Sequence, residues 1–237
     1  MEKLVYALWR PEDADLETWC ASVRQALPAA LRDAGARGVQ VNVSDDAVSS
    51  ALVRLSTFDR PIDAVVSVWV DTAAGAALGA VTACLTPVSD RLAGYLVTES
   101  VPLVPREVPS GERTPGFANV AFLRRPAHLD RDEWLARWQG DHTRVAIETQ
   151  STFGYVQNVV VRALTPDAPV VDGIVEELFP ADALIDFHVF FGSGGSDAEL
   201  GRRMTAMTES VARFSGPDPM LDVVPTSRYV LASPFAG

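Results

Sequence analysis

The sequence predicts an α+β chain made of two tandem ferredoxin-like βαββαβ units whose antiparallel sheets pack against each other. Three observations carry that reading. The strand-and-helix pattern that opens the chain begins again, without a gap, at an offset of 115 residues. A run rich in proline, glycine and charge lies between the two starts. Each half then reads β-α-β-β-α-β, the split-βαβ order, with both helices on one face of the sheet. Such a sheet leaves its other face bare, so two bare faces must meet or curl together into a barrel.

In the first half, residues 4–9 (Leu-Val-Tyr-Ala-Leu-Trp) form an apolar run of strand length, which Arg10-Pro11 ends. Asp15 caps a helix whose apolar side is Leu16, Trp19, Val23 and Leu27. Pro28 falls inside that pattern and predicts a kink or a break, and Gly35 and Gly38 end the segment. Residues 39–43 alternate like a half-exposed strand. Residues 44–59 are polar and irregular, with 51–55 a candidate extension of the strand. Residues 62–70 are strongly β-forming, and 72–85 read as a helix of small residues. Gly75, Gly79 and Ala83 let a neighbouring backbone come close there. Residues 92–101 give the fourth strand.

Residues 104–116 hold three prolines, two glycines and four charges, and read as a linker between units 1–103 and 117–237. Residues 117–123 are a strand, followed by Arg125-Pro126 and a helix over 130–142. Asp130 caps that helix with Glu133 three residues on, and Leu129 and Trp134 hold the positions of a hydrophobic staple. Trp134, Trp138 and His142 recur every four residues along one side. The offset places Arg10 on Arg125, Asp15 on Asp130, Trp19 on Trp134, Val23 on Trp138 and Leu27 on His142. Residues 155–161 are the next strand, and 171–175 echo 62–66 at an offset of 109. Residues 180–196 are an insertion that the first half lacks. Ser196 and Glu199 make a second capping box, and Leu200, Met204, Met207, Val211 and Phe214 give a helical stripe that reads as core.

Composition bounds the function. At 237 residues, 48% hydrophobic and 22% charged, the chain is an ordinary globular protein. A net charge of -11 without a basic patch argues against nucleic acid and acidic membrane surfaces as partners. Cys20 and Cys84 fall in helices and read as free thiols. No signal-peptide layout or bilayer-length apolar run occurs, so a cytoplasmic location is expected.

On two motifs the chain resembles the EthD-domain proteins of the dimeric α+β barrel superfamily. One is an aromatic-x3-Trp-x3-His helix, here Trp134, Trp138 and His142. The other is an Asp-Gly-x-x-Glu strand, here 172–176, ending in Glu176. With the strand order, the resemblance covers nearly the whole chain as a tandem pair. It implies a barrel that closes around a small apolar or aromatic ligand, within one chain or as a homodimer exchanging halves. The relatives include cofactor-free decarboxylases and dehydratases, and the wider superfamily includes cyclases, monooxygenases and haem-binding enzymes. The first half departs from the motifs, with Val23, Leu27 and Ser67 where the second has Trp138, His142 and Glu176. Any chemistry is therefore expected in the second half. The family's tryptophan after the glutamate is Leu178 here, and Trp69 fills that place in the first half.

Two residues suit proton transfer. Imidazole titrates near neutrality, so His142 is an acid/base candidate; the alternative is a helix-end histidine that complements the dipole. The resemblance puts Asp172, Ile174, Glu176 and Leu178 inside the barrel, where an apolar environment would raise the pKa of Glu176; the alternative is pairing with an arginine. Trp134, Trp138, Trp69, Asp172 and Tyr155 are candidate substrate-binding residues. Asn158, Tyr6, Asn119, Tyr95 and Tyr229 also offer hydrogen bonds from strands. His128 reads as exposed and His188 as a core histidine. No metal-ligand spacing, phosphate loop, dinucleotide fingerprint or nucleophile elbow occurs. The reading therefore calls for no cofactor, with a single axial histidine leaving haem open. Cofactor-independent decarboxylation, dehydration or cyclisation of an aromatic or carbonyl compound is the expected activity. A non-catalytic binding or assembly module and an oxygenase of the same superfamily are the alternatives.

Overall fold

The structure, a computed structural model, describes residues 1–215 and 221–234. Its first half contains β1 (Glu2–Trp9), α1 (Leu16–Gln25), α2 (Leu27–Asp33), β2 (Gly38–Val43), β3 (Ala64–Val70), α3 (Gly75–Leu85) and β4 (Arg91–Leu103). Its second half contains β5 (Phe117–Leu123), α4 (Arg131–Leu135), a π-helical segment (Ala136–His142) and α5 (Thr143–Thr149). β6 (Gly154–Ala163), β7 (Gly173–Phe179), α6 (Phe187–Phe190), α7 (Asp197–Ser215) and β8 (Leu221–Ala232) follow.

The eight strands close a barrel in the order β1-β3-β2-β8-β5-β7-β6-β4. Each half therefore keeps the split-βαβ order, and two antiparallel seams join the halves, β2 with β8 and β4 with β6. This closure hides both bare faces. Alternate residues of every strand point inward, so Val5, Val65, Val97, Val120, Val160, Ile174 and Val224 from both halves share one interior cluster. Each such burial stabilises by roughly 1.5–3 kcal/mol. The other parity of β1, namely Leu4, Tyr6 and Leu8, packs under the helices with Trp19, Val23 and Leu27.

One barrel end is closed by stacking. Trp9 meets Phe58 edge-on at 5.6 Å, and the guanidinium groups of Arg91 and Arg124 lie over these rings. The two halves also share a clasp. Asp63 accepts from the Arg10 backbone N–H at 3.0 Å, and Asp172 from that of Arg125 at 2.8 Å. The two arginine side chains donate in turn to the carbonyls of Ala14 and Leu129.

Several local expectations are refined. The Pro28 break is real: it splits the segment into α1 and α2, and Pro28 occupies the first turn of α2, where no N–H is needed. Residues 51–55 do not extend a strand; Leu55 makes only an isolated bridge to Val223. The 104–116 segment is not free, because the backbone N–H groups of Gly111 and Thr114 donate to Val230 and Arg228 of β8. Asp130 caps α4 by accepting from Glu133 N at 2.8 Å, but the Glu133 carboxylate pairs with Arg137 instead of completing a capping box. His188 is not in the core: it is half-buried, bonded to Ser193 at 2.8 Å and paired with Asp197 at 3.3 Å. Met204 is exposed and leaves the α7 stripe, while Leu200, Met207 and Val211 are partly buried and Phe214 is fully buried. His128 is exposed, and both cysteines are free.

Candidate functional site

The barrel lumen is polar around Glu176, contrary to the apolar setting expected for it. Asn42 Nδ2 donates to Glu176 Oε1 at 2.7 Å, and Gln40 Nε2 lies 3.0 Å from the same oxygen. Arg228 Nε is 3.2 Å from Glu176, while its Nη2 donates to Gln40 Oε1 at 2.8 Å. Glu176 thus meets an arginine and two amides, and the arginine-pairing alternative describes it. Trp69 also faces inward. Its Nε1 donates to Glu99 at 3.2 Å, and Lys3 sits over the ring while bonding Glu99 at 2.6 Å. Lys3 has its pKa lowered, chiefly by burial, with Glu99 opposing the shift.

The other side of the second sheet differs more sharply between the halves. In the first half, Leu4, Val68 and Val39 lie side by side across β1, β3 and β2, under the helices. All three are fully buried in a single cluster. The matching row in the second half is Asn119, Glu177 and Tyr155, side by side across β5, β7 and β6. Three apolar side chains are replaced by an amide, a carboxylic acid and a phenol. The apolar packing around this row divides into two clusters. Ala121, Val175, Trp134, Trp138 and Val223 lie on one side, and Phe117, Phe179 and Phe190 on the other.

The electrostatics of the row are unusual. Burial pushes the Glu177 carboxyl up to about 7, although the residue retains partial exposure to solvent. Asn119 is 2% exposed and its Oδ1 has no hydrogen-bond partner among the described residues. An unpaired buried carbonyl costs free energy, so it marks a place where a donor would be welcome. Tyr155 is buried, and its pKa is raised by burial and by Glu177, against the opposing influence of Thr143, Trp138 and Gln157. It is a neutral phenol at ordinary pH. An acid raised to about 7 with an amide on the adjacent strand can chemically accept a proton and donate to an oxyanion.

The predicted residues separate into five places. Glu176 and Trp69 face the lumen, and Asp172 works in the clasp with Arg125. Trp134 and Trp138 are fully buried with ring centroids 5.0 Å apart, lying on Gly173. A Cβ at Gly173 would come within 2.7 Å of Trp138, which explains the glycine of the Asp-Gly pair. His142 does not stay on their side. The π-helical segment has more residues per turn, and it rotates His142 towards α7. There His142 Nδ1 lies 3.0 Å from Ser210 Oγ and its ring 4.7 Å from Phe214. Arg213 also donates to the Ser210 oxygen. Burial, reinforced by Arg213, lowers the His142 pKa to about 4. The ring is therefore neutral at pH 7.

Tyr155 is the one proposed binding residue that lies in the polar row. Asn119 stood among the hydrogen-bonding strand residues, while Glu177 was not singled out. The signal was present in the repeat: Val68 and Leu4 align with Glu177 and Asn119, an apolar-to-polar change on helix-facing parity.

No protein-family model matches the chain, and no curated protein matches its sequence. Solved structures do. An anthrone oxidase-like protein superposes with a TM-score of 0.57 over 100% of this chain and 95% of its own, at 8% identity. The fold is that of the dimeric α+β barrels. A candidate monooxygenase of Lactobacillus acidophilus gives 0.48 at 10% identity, covering 98% of this chain and 96% of its own. A dye-decolorizing peroxidase of Bacteroides thetaiotaomicron gives 0.47 at 10% identity, covering 98% and 93%. Among the described residues no helix is long and apolar enough to cross a membrane, and no group of three potential ligands could hold a metal ion.

Proposed function

We propose that the second half carries a small-molecule enzyme site, and that Glu177 is its general base. The observation behind this reading is the acidic group raised to about 7 in a row whose counterpart in the first half is wholly apolar. A base of that pKa takes a proton from a C–H or O–H acid at neutral pH and returns it later in the cycle. The Asn119 amide N–H groups stand beside it as donors to the enolate or phenolate so formed, while the Tyr155 hydroxyl is turned to Thr143, Trp138 and Gln157. Phe117, Phe179 and Phe190 form a stacked aromatic wall next to the row, with Phe179 and Phe190 at 4.3 Å. This wall suits an aromatic carbonyl compound. Decarboxylation, dehydration and cyclisation all need such proton transfer without a cofactor. His142, neutral and bonded to Ser210, orients the helix layer in this scheme and Glu177 moves the proton.

The oxygenase variant is favoured by one observation, the likeness to an anthrone oxidase-like protein. In it, the carbanion left by proton removal is oxidised by dioxygen, which is the added reactant.

The test is solvent-deuterium exchange into anthrone and a small set of 1,3-dicarbonyl compounds, followed by NMR across pH. Catalysed exchange with an apparent pKa near 7, lost in Glu177→Gln, is the expected result. Exchange that is equal in wild type and variant removes Glu177 from this role.

A further inference from the structure

The first half contributes more than a seam. Its β2–β3 connection, residues 44–63, crosses the β2–β8 seam and lies on the second half. Leu52 N donates to Leu184 O at 3.0 Å, and Leu55 exchanges two backbone hydrogen bonds with Val223. Thr57 binds Asp222 through its hydroxyl at 3.0 Å, and Ser227 Oγ donates to Asp45 at 2.7 Å. The corresponding connection of the second half, residues 164–172, crosses the opposite seam. Leu164 N donates to Gly94 O, and Tyr95 donates to Pro169 O. The first of these connections is about twice as long as the second by residue number.

That extra length places Val48 in the aromatic cluster around Phe117 and Phe179. It also places Val53 where it packs against both apolar clusters that flank the Glu177 row. Among the described residues, Met207 of α7 is the one other partly buried side chain that packs against both. Residues 119 and 177 lie between those clusters along β5 and β7. Val53 and Met207 thus reach both ends of the stretch that holds the row, and both keep partial exposure to solvent.

We propose that Val53, from the first half, and Met207, from the second, form the aperture to Glu177 and set the size of molecule that reaches it. This rests on the reading of the Glu177 row as the site. The loop is pinned at Leu52, Leu55 and Thr57, so the aperture is a fixed filter whose width follows side-chain volume at positions 53 and 207. Methionine is flexible and unbranched, and valine is short and stiff, so together they make one adjustable wall and one rigid wall.

The test needs no substrate. In a Cys84→Ala background, Glu177→Cys supplies a thiol at the row, while Cys20 stays inert because burial raises its pKa to about 12. Its labelling is timed with methyl methanethiosulfonate and with N-(1-pyrenyl)maleimide. Val53→Ala or Met207→Ala is expected to speed the pyrenyl reagent about tenfold relative to the small one, and Leu55→Ala, on the exposed side of the loop, to leave the ratio unchanged. An unchanged ratio in both Val53→Ala and Met207→Ala overturns the aperture. Should Glu177→Cys fail to fold, carbodiimide coupling of the native Glu177 to glycinamide and to a naphthylamine, read by mass spectrometry, gives the same ratio. These readouts report access alone. A failed aperture therefore leaves the deuterium-exchange result standing, and a failed exchange result leaves the aperture standing.

Discussion

Glu176 and Glu177 are consecutive residues whose carboxylates lie on opposite faces of β7. One is inside the barrel against Arg228, and the other is beneath the helices beside Asn119. The pleat alone separates them, and it gives them opposite environments. Glu176 is met by one cation and two amides. Glu177 has no ion-pair partner among the described residues, and burial dominates it.

Making the row like that of the first half, with Asn119→Leu and Glu177→Val, is expected to stabilise the protein and abolish activity. The sign follows from the shifted acid. The Glu177 pKa rises from 4.5 to about 7 on folding, so the folded state holds a proton that the unfolded state has lost. Wild type thus loses stability as pH rises from about 4.5 to 7. Thermal unfolding should show the double variant gaining more at pH 8 than at pH 4.5. An equal gain at both pH values would mean that Glu177 does not titrate as described.

His142 gives the opposite slope. Its pKa falls from 6.5 to about 4 on folding, so the unfolded state takes up the proton first as the solution is acidified. This contribution is present above about 6.5 and is lost as pH falls towards 4. His142→Gln should flatten that part of a urea-denaturation profile while leaving the Glu177 slope. A profile unaltered between pH 4 and 6.5 would contradict it.

Gly173→Ala is expected to destabilise by about 1–3 kcal/mol, because the new methyl meets two buried indole rings that have no room to retreat. Trp138→Phe in the same chain should recover part of the loss. Denaturant midpoints of the two variants provide the check.

Arg228→Met alone leaves the Glu176 carboxylate buried without its cation and should cost about 3–5 kcal/mol. Adding Glu176→Gln should restore much of that loss. A double-mutant cycle measures the coupling, and additive losses would show that Gln40 and Asn42 suffice to hold the acid.

The repeat made the fold legible. An offset of 115 aligned the first strand, break and cap, an offset of 109 aligned the third strand, and two bare sheet faces required closure. The site was harder to read, for two physical reasons. Strand parity was correct for Glu176, but the motif drew attention to the lumen, whereas the unmatched acid was its neighbour. A helical period of four also placed His142 with Trp134 and Trp138, and no local residue announced the π-helical segment that turns it away. The contents of the lumen depended on Gln40, Asn42 and Arg228. Their meeting with Glu176 follows from the β2–β8 seam and not from any spacing along the chain.

The two crossing connections also bear on how such a barrel can change. In an assembly of two identical chains, every substitution appears twice, so a loop lengthened over one site lengthens over both. Here the two crossings belong to one polypeptide and answer to separate codons. One half can therefore lengthen its arm and keep its own interior greasy and closed, while the other shortens its arm and admits polar groups. Two halves in one polypeptide are free of the symmetry that binds two identical chains, and each can carry a different interior.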